Sequence, residues 1–135
     1  MQAFTRRTCL AGIAILVAAA AAGFASSSLH SKRTRHDVAT AMTGGDADLA
    51  PPILRKYGCT GCHTIPGIPG ADGKVGGSLN AIKQRVYIAG VLNNTSDNLT
   101  RWIVTPPAFS PRTAMPVTGI NEEQARHVAA YLYAH

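Results

Sequence analysis

Two cysteines and a histidine lie close together near the middle of the chain, in the order Cys59-Thr60-Gly61-Cys62-His63. Two thiols at this spacing can reach the two vinyl groups of a haem, and the residue that follows them then turns beneath the iron. This pattern is typical of c-type haem attachment. It predicts one haem c, bonded covalently to Cys59 and Cys62, with the iron ligated by His63.

Two other uses of paired cysteines fit the sequence less well. A thioredoxin-type redox site would follow a strand and precede a long helix. Here we expect a helix before Cys59 and a glycine-rich loop after His63. A zinc site needs four ligands, and the remaining histidines of the exported chain show no paired spacing. They are His30, His36, His127 and His135.

Met115 is the candidate for the second axial ligand of the iron. It lies within an irregular, proline-flanked segment that can carry a side chain over the opposite haem face. A lone methionine more often fills a core, and His127 is an alternative ligand. A neutral thioether favours ferrous iron and raises the reduction potential. With both axial positions filled, the site favours electron transfer over catalysis, so we do not expect an enzyme.

The first residues have the features of an export signal. Arg6 and Arg7 precede an apolar run over residues 10–25, which ends at a site of the kind that a signal peptidase reads. The run is shorter than the roughly 20 residues of a membrane-spanning helix. Residues 1–25 are therefore predicted to be a signal peptide, with an uncleaved anchor as the alternative. Cys9 would leave with the signal. We expect export to the bacterial periplasm, with attachment to the inner membrane only through an uncleaved segment.

The charge of the chain bears on its partners. The formal net charge is +6, and loss of Arg6 and Arg7 with the signal would leave +4. The basic residues are scattered, which argues against nucleic-acid binding. A mildly basic surface suits an acidic protein partner. Aromatic residues make up only 6% of the chain, so a buried cofactor would help to complete a thin core.

The chain is long enough for one domain, and its boundary follows from composition. Residues 26–45 are interpreted as a linker, because they are rich in serine, then basic, and end in two glycines without core periodicity. The domain is predicted to cover residues 46–135. No segment alternates as a strand would, so we expect an all-α fold of about four helices wrapped around the haem.

The first two predicted helices lie before and after the cysteines. Asp48 is the candidate cap of the first helix, whose two early prolines are tolerated in the opening turn. That helix ends near Tyr57-Gly58. A glycine-rich loop follows over residues 64–78, and a second helix is predicted from Asn80 to Gly90.

The last two helices have clearer signals. Leu99, Trp102 and Ile103 lie at i, i+3 and i+4, and mark the buried side of a helix that must stop at the following proline pair. Asn121 caps the final helix, with Gln124 at the reciprocal capping position. The apolar stripe of that helix is formed by Ala125, Val128, Ala129 and Leu132.

Together these residues resemble the class I c-type cytochromes. The resemblance runs from about Asp46 to His135. Cys59 to His63 resembles the haem site of that family, and Met115 resembles its distal ligand. Residues 105–114 are similar to the loop that leads to the ligand, and Tyr131-Leu132 is similar to a residue pair in the closing helix.

A narrower similarity covers residues 85–95 and 98–103. This stretch is similar to the cytochrome c domain fused to subunit II of caa3-type oxidases, and to free-standing bacterial relatives. The similarity implies that Arg85 lies near a haem propionate, that Trp102 packs beside the ligand loop and that Thr113 lies near the buried propionate edge. The residues alone also allow a solvated arginine, an ordinary core tryptophan and a threonine that only serves a turn.

One departure from the family pattern lies in the loop after the cysteines. Where the family has Gly-Pro before a haem-packing leucine, this chain has Gly76-Gly77-Ser78-Leu79. The carbonyl of that proline orients the proximal histidine by accepting from its ring N–H. Gly77 also offers a carbonyl, so we expect the hydrogen bond to His63 to persist on a looser loop.

These observations predict a monohaem cytochrome that transfers single electrons between respiratory partners, such as a terminal oxidase and an upstream reductase or dehydrogenase. A monomer would dock transiently through its exposed haem edge, with Lys74 and Lys83 as candidates to steer an acidic partner. One alternative is a dedicated cytochrome subunit of a periplasmic or membrane dehydrogenase complex. A weaker alternative is a haem enzyme or ligand sensor with an open iron site.

Overall fold

The computed structural model describes residues 2–135, except for the side chains of residues 2–11 and 14. The chain divides into two compact units, Met1–Thr34 and Arg35–His135. The structure is mostly helical, with one short antiparallel strand pair. This bears out a mainly α-helical class.

The first helix, α1, covers Gln2–Thr43 and includes the apolar run. The predicted features at Arg6, Arg7 and Cys9 lie outside the described side chains. In the part of the chain that the structure describes, no helix combines the length and the apolar character needed to cross a membrane. Cleavage after residue 25 stays a prediction.

Residues 26–43, interpreted as linker, continue α1 without a break. Their hydroxyl side chains bond back to carbonyls four residues earlier, as Ser26 does to Ala22 and Thr34 does to His30, which lets them remain in a helix. The last turns of α1 also belong to the second unit, where Ala39 is completely buried. Only isolated small residues such as Ala39 are buried here, so the sequence has no apolar periodicity that would predict a helix packed against the core.

The second unit contains four further helices: α2 (Ala50–Lys56), α3 (Cys59–Cys62), α4 (Ser96–Val104) and α5 (Glu122–Ala134). Strands β1 (Tyr87–Ile88) and β2 (Leu92–Asn93) pair antiparallel, with Ile88 opposite Leu92. Short 3-10 turns cover Ala47–Leu49, Ile82–Gln84 and Pro106–Ala108.

Helix α2 begins with a 3-10 turn whose cap is Asp46, because its side chain accepts from the N–H of Asp48. The prediction of Asp48 as the cap was therefore wrong by two residues. Both prolines fall in the opening turn of α2, and the helix ends before Gly58, as predicted. Gly58 has φ +73°, a left-handed conformation that glycine adopts without strain. This turn leads the chain directly into α3.

The helix predicted from Asn80 to Gly90 is absent, and a 3-10 turn and β1 stand in its place. Ala81 and Ala89 both have positive φ, at 53° and 49°, which interrupts any helix there. The Asn94 side-chain amide donates to the carbonyls of Ile82 and Arg85, at 2.7 and 2.8 Å. A side chain distant in sequence therefore fixes this segment, and local propensity did not reveal it.

Helix α5 forms the centre of the core, and its predicted stripe is buried. Asn121 caps it by accepting from the N–H of Gln124. The Gln124 side chain instead accepts from the hydroxyl of Tyr57, so the capping is one-sided in the described contacts. Helix α5 packs against α2, α4 and the 3-10 turn before α2. A Cβ at Gly45 would lie 2.2 Å from the carbonyl oxygen of Arg126, so this contact requires glycine.

Candidate functional site

A cavity of about 300 Å³ opens between the loop after α3, the β1–β2 segment, α4 and the loop before α5. Its volume falls at the lower end of the roughly 300–1,000 Å³ typical of small-molecule sites. Its walls include the apolar side chains of Leu79, Leu99, Ile103 and Leu132. The residues predicted for the site that line it are Cys62, His63, Arg85, Trp102, Thr113 and Met115.

Cys59 and Cys62 stand at the two ends of α3, a single helical turn that starts from the left-handed Gly58. Both are free thiols and are half-buried. Cys59 packs against the core rather than lining the cavity. Burial raises the pKa of the Cys59 thiol, whereas thioredoxin-type sites lower it. The site therefore differs from that alternative in both its secondary structure and its electrostatics.

The imidazole of His63 is oriented by the loop that follows it. Its Nδ1 lies 2.6 Å from the carbonyl oxygen of Gly77. A carbonyl can only accept a hydrogen bond, so Nδ1 carries the proton, and in the neutral imidazole the lone pair then lies on Nε2. The hydrogen bond expected between His63 and Gly77 is confirmed, and it leaves Nε2 able to bind a metal.

Gly76 lets the loop approach the imidazole closely. A Cβ at this position would lie 2.3 Å from Cε1 of His63 and 2.6 Å from Nδ1, far closer than real carbon atoms approach. The N–H of Gly76 also donates to the carbonyl of Cys62, at 2.8 Å. The glycine-rich composition of this loop thus has a steric purpose beside His63.

Met115 reaches the cavity from the irregular segment between the 3-10 turn after α4 and α5. Its N–H donates to Oγ1 of Thr113, at 3.2 Å, and its side chain is half-buried against the core. Trp102, only 8% exposed, belongs to both the core and the cavity wall. Thr113 therefore supports the backbone of the segment that carries Met115, in addition to lining the cavity.

His127, the alternative ligand, is not among the residues that line the cavity. Its Nδ1 accepts the backbone N–H of Asp46, at 2.8 Å, which ties α5 to the start of the α2 region. Where side chains are described, no three His, Cys, Asp or Glu residues group together to hold a metal ion. His127 therefore serves as a contact between α5 and the α2 region.

Arg85 follows the 3-10 turn at Ile82–Gln84 in extended conformation, and so does not lie in a helix. Its Nη2 donates to the carbonyl of Ser78 and, at 3.0 Å, to that of Asn80. Sequence reasoning missed Asn94, which donates to the Arg85 carbonyl, and Tyr133, whose hydroxyl donates to Asn94 at 2.8 Å. Neither residue belonged to the predicted site, because each acts through single hydrogen bonds that no local sequence pattern marks.

Comparison with known proteins gives one informative result. The chain is similar to cytochrome c oxidase subunit 2 of Alkalihalophilus pseudofirmus, with 31% identity over 87 residues. The match covers 64% of this chain and 25% of that protein, so the chain spans about a quarter of the length of its curated relative. No protein-family model and no solved structure matches. The similarity relates the chain to cytochrome oxidase subunits.

Proposed function

We propose that the chain is a monohaem c-type cytochrome that transfers single electrons between respiratory partners. The observation that carries this proposal is the cavity, because it brings Cys62 and His63 together with Met115 from a distant segment of the chain. The similarity to an oxidase subunit supports the same electron-transfer role. A cavity with largely apolar walls also fits a flat cofactor whose polar groups are confined to one edge.

The two cysteines would hold the cofactor covalently. Addition of a thiol across a vinyl double bond forms a carbon–sulfur bond and places the thiol hydrogen on the adjacent carbon, so neither oxidant nor reductant is consumed. Both thiols must be reduced for this step, and Cys59 and Cys62 are free.

His63 and Met115 would hold the haem iron. The haem, when bound, supplies a one-electron iron couple. His63 offers Nε2 because the Gly77 carbonyl takes the proton-bearing Nδ1. Met115 offers a soft thioether from a half-buried position in the cavity wall. Filling both positions suits a carrier better than a catalyst, so we propose that the protein is not an enzyme.

The partners are proposed from the same similarity. A terminal oxidase is a suitable electron acceptor, and a reductase or dehydrogenase a suitable donor. Lys74 and Lys83 are exposed and could steer an acidic partner toward the protein. The proposed location is the periplasm, to which the apolar N-terminal run would direct the chain.

The direct test is the intact mass of the protein purified from a host that attaches haem. We expect the mass of residues 26–135 plus one haem. The matched control is the double variant Cys59→Ser and Cys62→Ser, which should lack the added haem after denaturation. A wild-type protein without covalent haem would overturn the proposal. A haem adduct on uncleaved residues 1–135 would reject only signal cleavage.

A dedicated cytochrome subunit is the second candidate, and one observation favours it. The matching segment forms only a quarter of a larger oxidase subunit, so such a domain works there as part of an assembly. Purification at native expression level distinguishes the two roles. A dedicated subunit would co-elute with its enzyme in a fixed ratio, whereas a free carrier elutes alone.

A further inference from the structure

The carbonyl that accepts from His63 belongs to a residue without a side chain. Gly77 is exposed, and a Cβ built there would meet nothing within 4 Å. Packing therefore does not fix its position. The flanking backbone is tied down instead, because Gly76 donates to Cys62 and Leu79 donates to Thr64, both at 2.8 Å. The backbone between these two hydrogen bonds needs a further contact to fix the direction of the Gly77 carbonyl.

Arg85 supplies such a contact through its side chain. Its Nη2 donates to the carbonyls of Ser78 and Asn80, the first of which directly follows Gly77. A guanidinium is planar and its donors have fixed directions, so two acceptors on one nitrogen restrict the backbone more than an ammonium would. The loop under His63 is thereby held at Ser78 as well as at its two ends.

Arg85 is itself held in place by a second layer of hydrogen bonds. The Nδ2 of Asn94 donates to the carbonyls of Ile82 and Arg85, and so fixes the turn that precedes the arginine side chain. The hydroxyl of Tyr133 donates to Oδ1 of Asn94, at 2.8 Å. Tyr133 is 3% exposed on α5. Because Oδ1 accepts and Nδ2 donates, this bond sets which way the Asn94 amide faces.

We propose that Arg85 is a positioning residue for His63, and that Asn94 and Tyr133 position Arg85. Tyr133 on α5 donates to Asn94, and Asn94 donates to the Arg85 carbonyl. The Arg85 side chain donates to the Ser78 carbonyl, next to the Gly77 carbonyl that accepts from His63. This arrangement supplies, by side chains, the rigidity that two consecutive glycines do not provide. The inference rests on the proposed function, since His63 matters in this way only as a ligand.

The test follows the Nδ1–H proton of His63 in the reduced, haem-loaded protein by nuclear magnetic resonance. Arg85→Lys keeps the positive charge but removes the fixed directions of the guanidinium donors. Tyr133→Phe removes the hydroxyl that donates to Asn94. Tyr57→Phe is the matched control, because it removes a hydroxyl that donates to Gln124 at 2.7 Å and not to Arg85, Asn94 or Tyr133. Exchange of the His63 proton with solvent is the main readout.

We expect the exchange rate to rise roughly fivefold in Arg85→Lys and about twofold in Tyr133→Phe, since loss of a hydrogen bond shifts local opening by this order. Tyr57→Phe should match wild type. A wild-type exchange rate in both Arg85→Lys and Tyr133→Phe would overturn the inference. An equal rise in the exchange of the α5 amide protons would also overturn it, because that result indicates loosening of the whole unit. Protein that carries no covalent haem would instead refute the proposed function.

Discussion

At the scale of single residues, the site depends on which atom of each side chain remains available. His63 commits Nδ1 to the Gly77 carbonyl and keeps Nε2. The sulfur of Met115 makes no described hydrogen bond, because the one described for this residue uses its backbone N–H. Its thioether is thus available to a metal, and its role as ligand stays a prediction that spectroscopy can test.

Met115→Ala removes the proposed sulfur ligand without changing any charge. The ferric wild-type protein should show a weak far-red absorption band from sulfur bonded to iron, and the variant should lack it. The reduction potential should also fall, because the soft neutral ligand that favours ferrous iron is lost. Met42→Ala is the control, since Met42 is exposed in α1 and should leave the band intact. Absence of the band in wild type would contradict methionine ligation and favour an open-site haem protein.

At the scale of elements, the loop from residue 64 to 80 determines how closely the backbone can approach His63. Gly76 and Gly77 are neighbours with opposite surroundings, since a Cβ would collide with the imidazole at the first and meet nothing at the second. This contrast allows one glycine to serve as the control for the other.

Gly76→Ala should therefore destabilise the haem-loaded protein by about 1–3 kcal/mol, the usual effect of forcing extra volume into a packed site. Gly77→Ala should change the free energy of unfolding by less than about 1 kcal/mol, because the new methyl group enters open space. Guanidinium unfolding curves measure both values. Equal stability of the two variants would show that the ring can move aside without loss.

Sequence reasoning succeeded where an element's own residues determine its structure. The α4 stripe at Leu99, Trp102 and Ile103 and the α5 cap at Asn121 are local signals, and the structure confirms them. The segment from Asn80 to Gly90 accepts two hydrogen bonds from Asn94, and two of its three positive φ values fall on alanines, which seldom adopt them. No local pattern could have revealed that arrangement.

The candidate site was more predictable than the segment beside it. Cys59, Cys62 and His63 lie within five residues of one another in one motif, and Met115 is the only methionine in the sequence outside the signal and the α1 region. Their convergence could be proposed because haem chemistry requires particular ligands. The support from Asn94 and Tyr133 could not, because it consists of single hydrogen bonds between residues far apart in sequence.

At the scale of the whole second unit, α5 connects to both regions that support the cavity. The hydroxyl of Tyr131 donates to the carbonyl of Pro66, at 2.6 Å, and that of Tyr133 donates to Asn94. Burial raises the pKa of both phenols. Each phenol must stay neutral to donate its hydrogen bond, so the stability of the unit is coupled to their protonation.

The free energy of unfolding should fall as the pH rises above the usual phenol pKa of about 10. The unfolded chain then releases protons that the folded chain retains, so the stabilisation is complete below that pH and is lost toward the raised pKa values. Denaturant unfolding between about pH 8 and 11 measures the slope. The double variant Tyr131→Phe and Tyr133→Phe should have a shallower slope, and equal slopes would contradict the coupling.

The imidazole rings of His36 and His135 lie 5.8 Å apart, centroid to centroid. His36, the second residue of this unit, therefore lies next to its last residue, and neither histidine lines the cavity. A unit whose ends adjoin can be fused to, or inserted into, another chain at one point on its surface. The same cavity could thus work in an independent protein or as an appended module, which makes gene fusion a short evolutionary step.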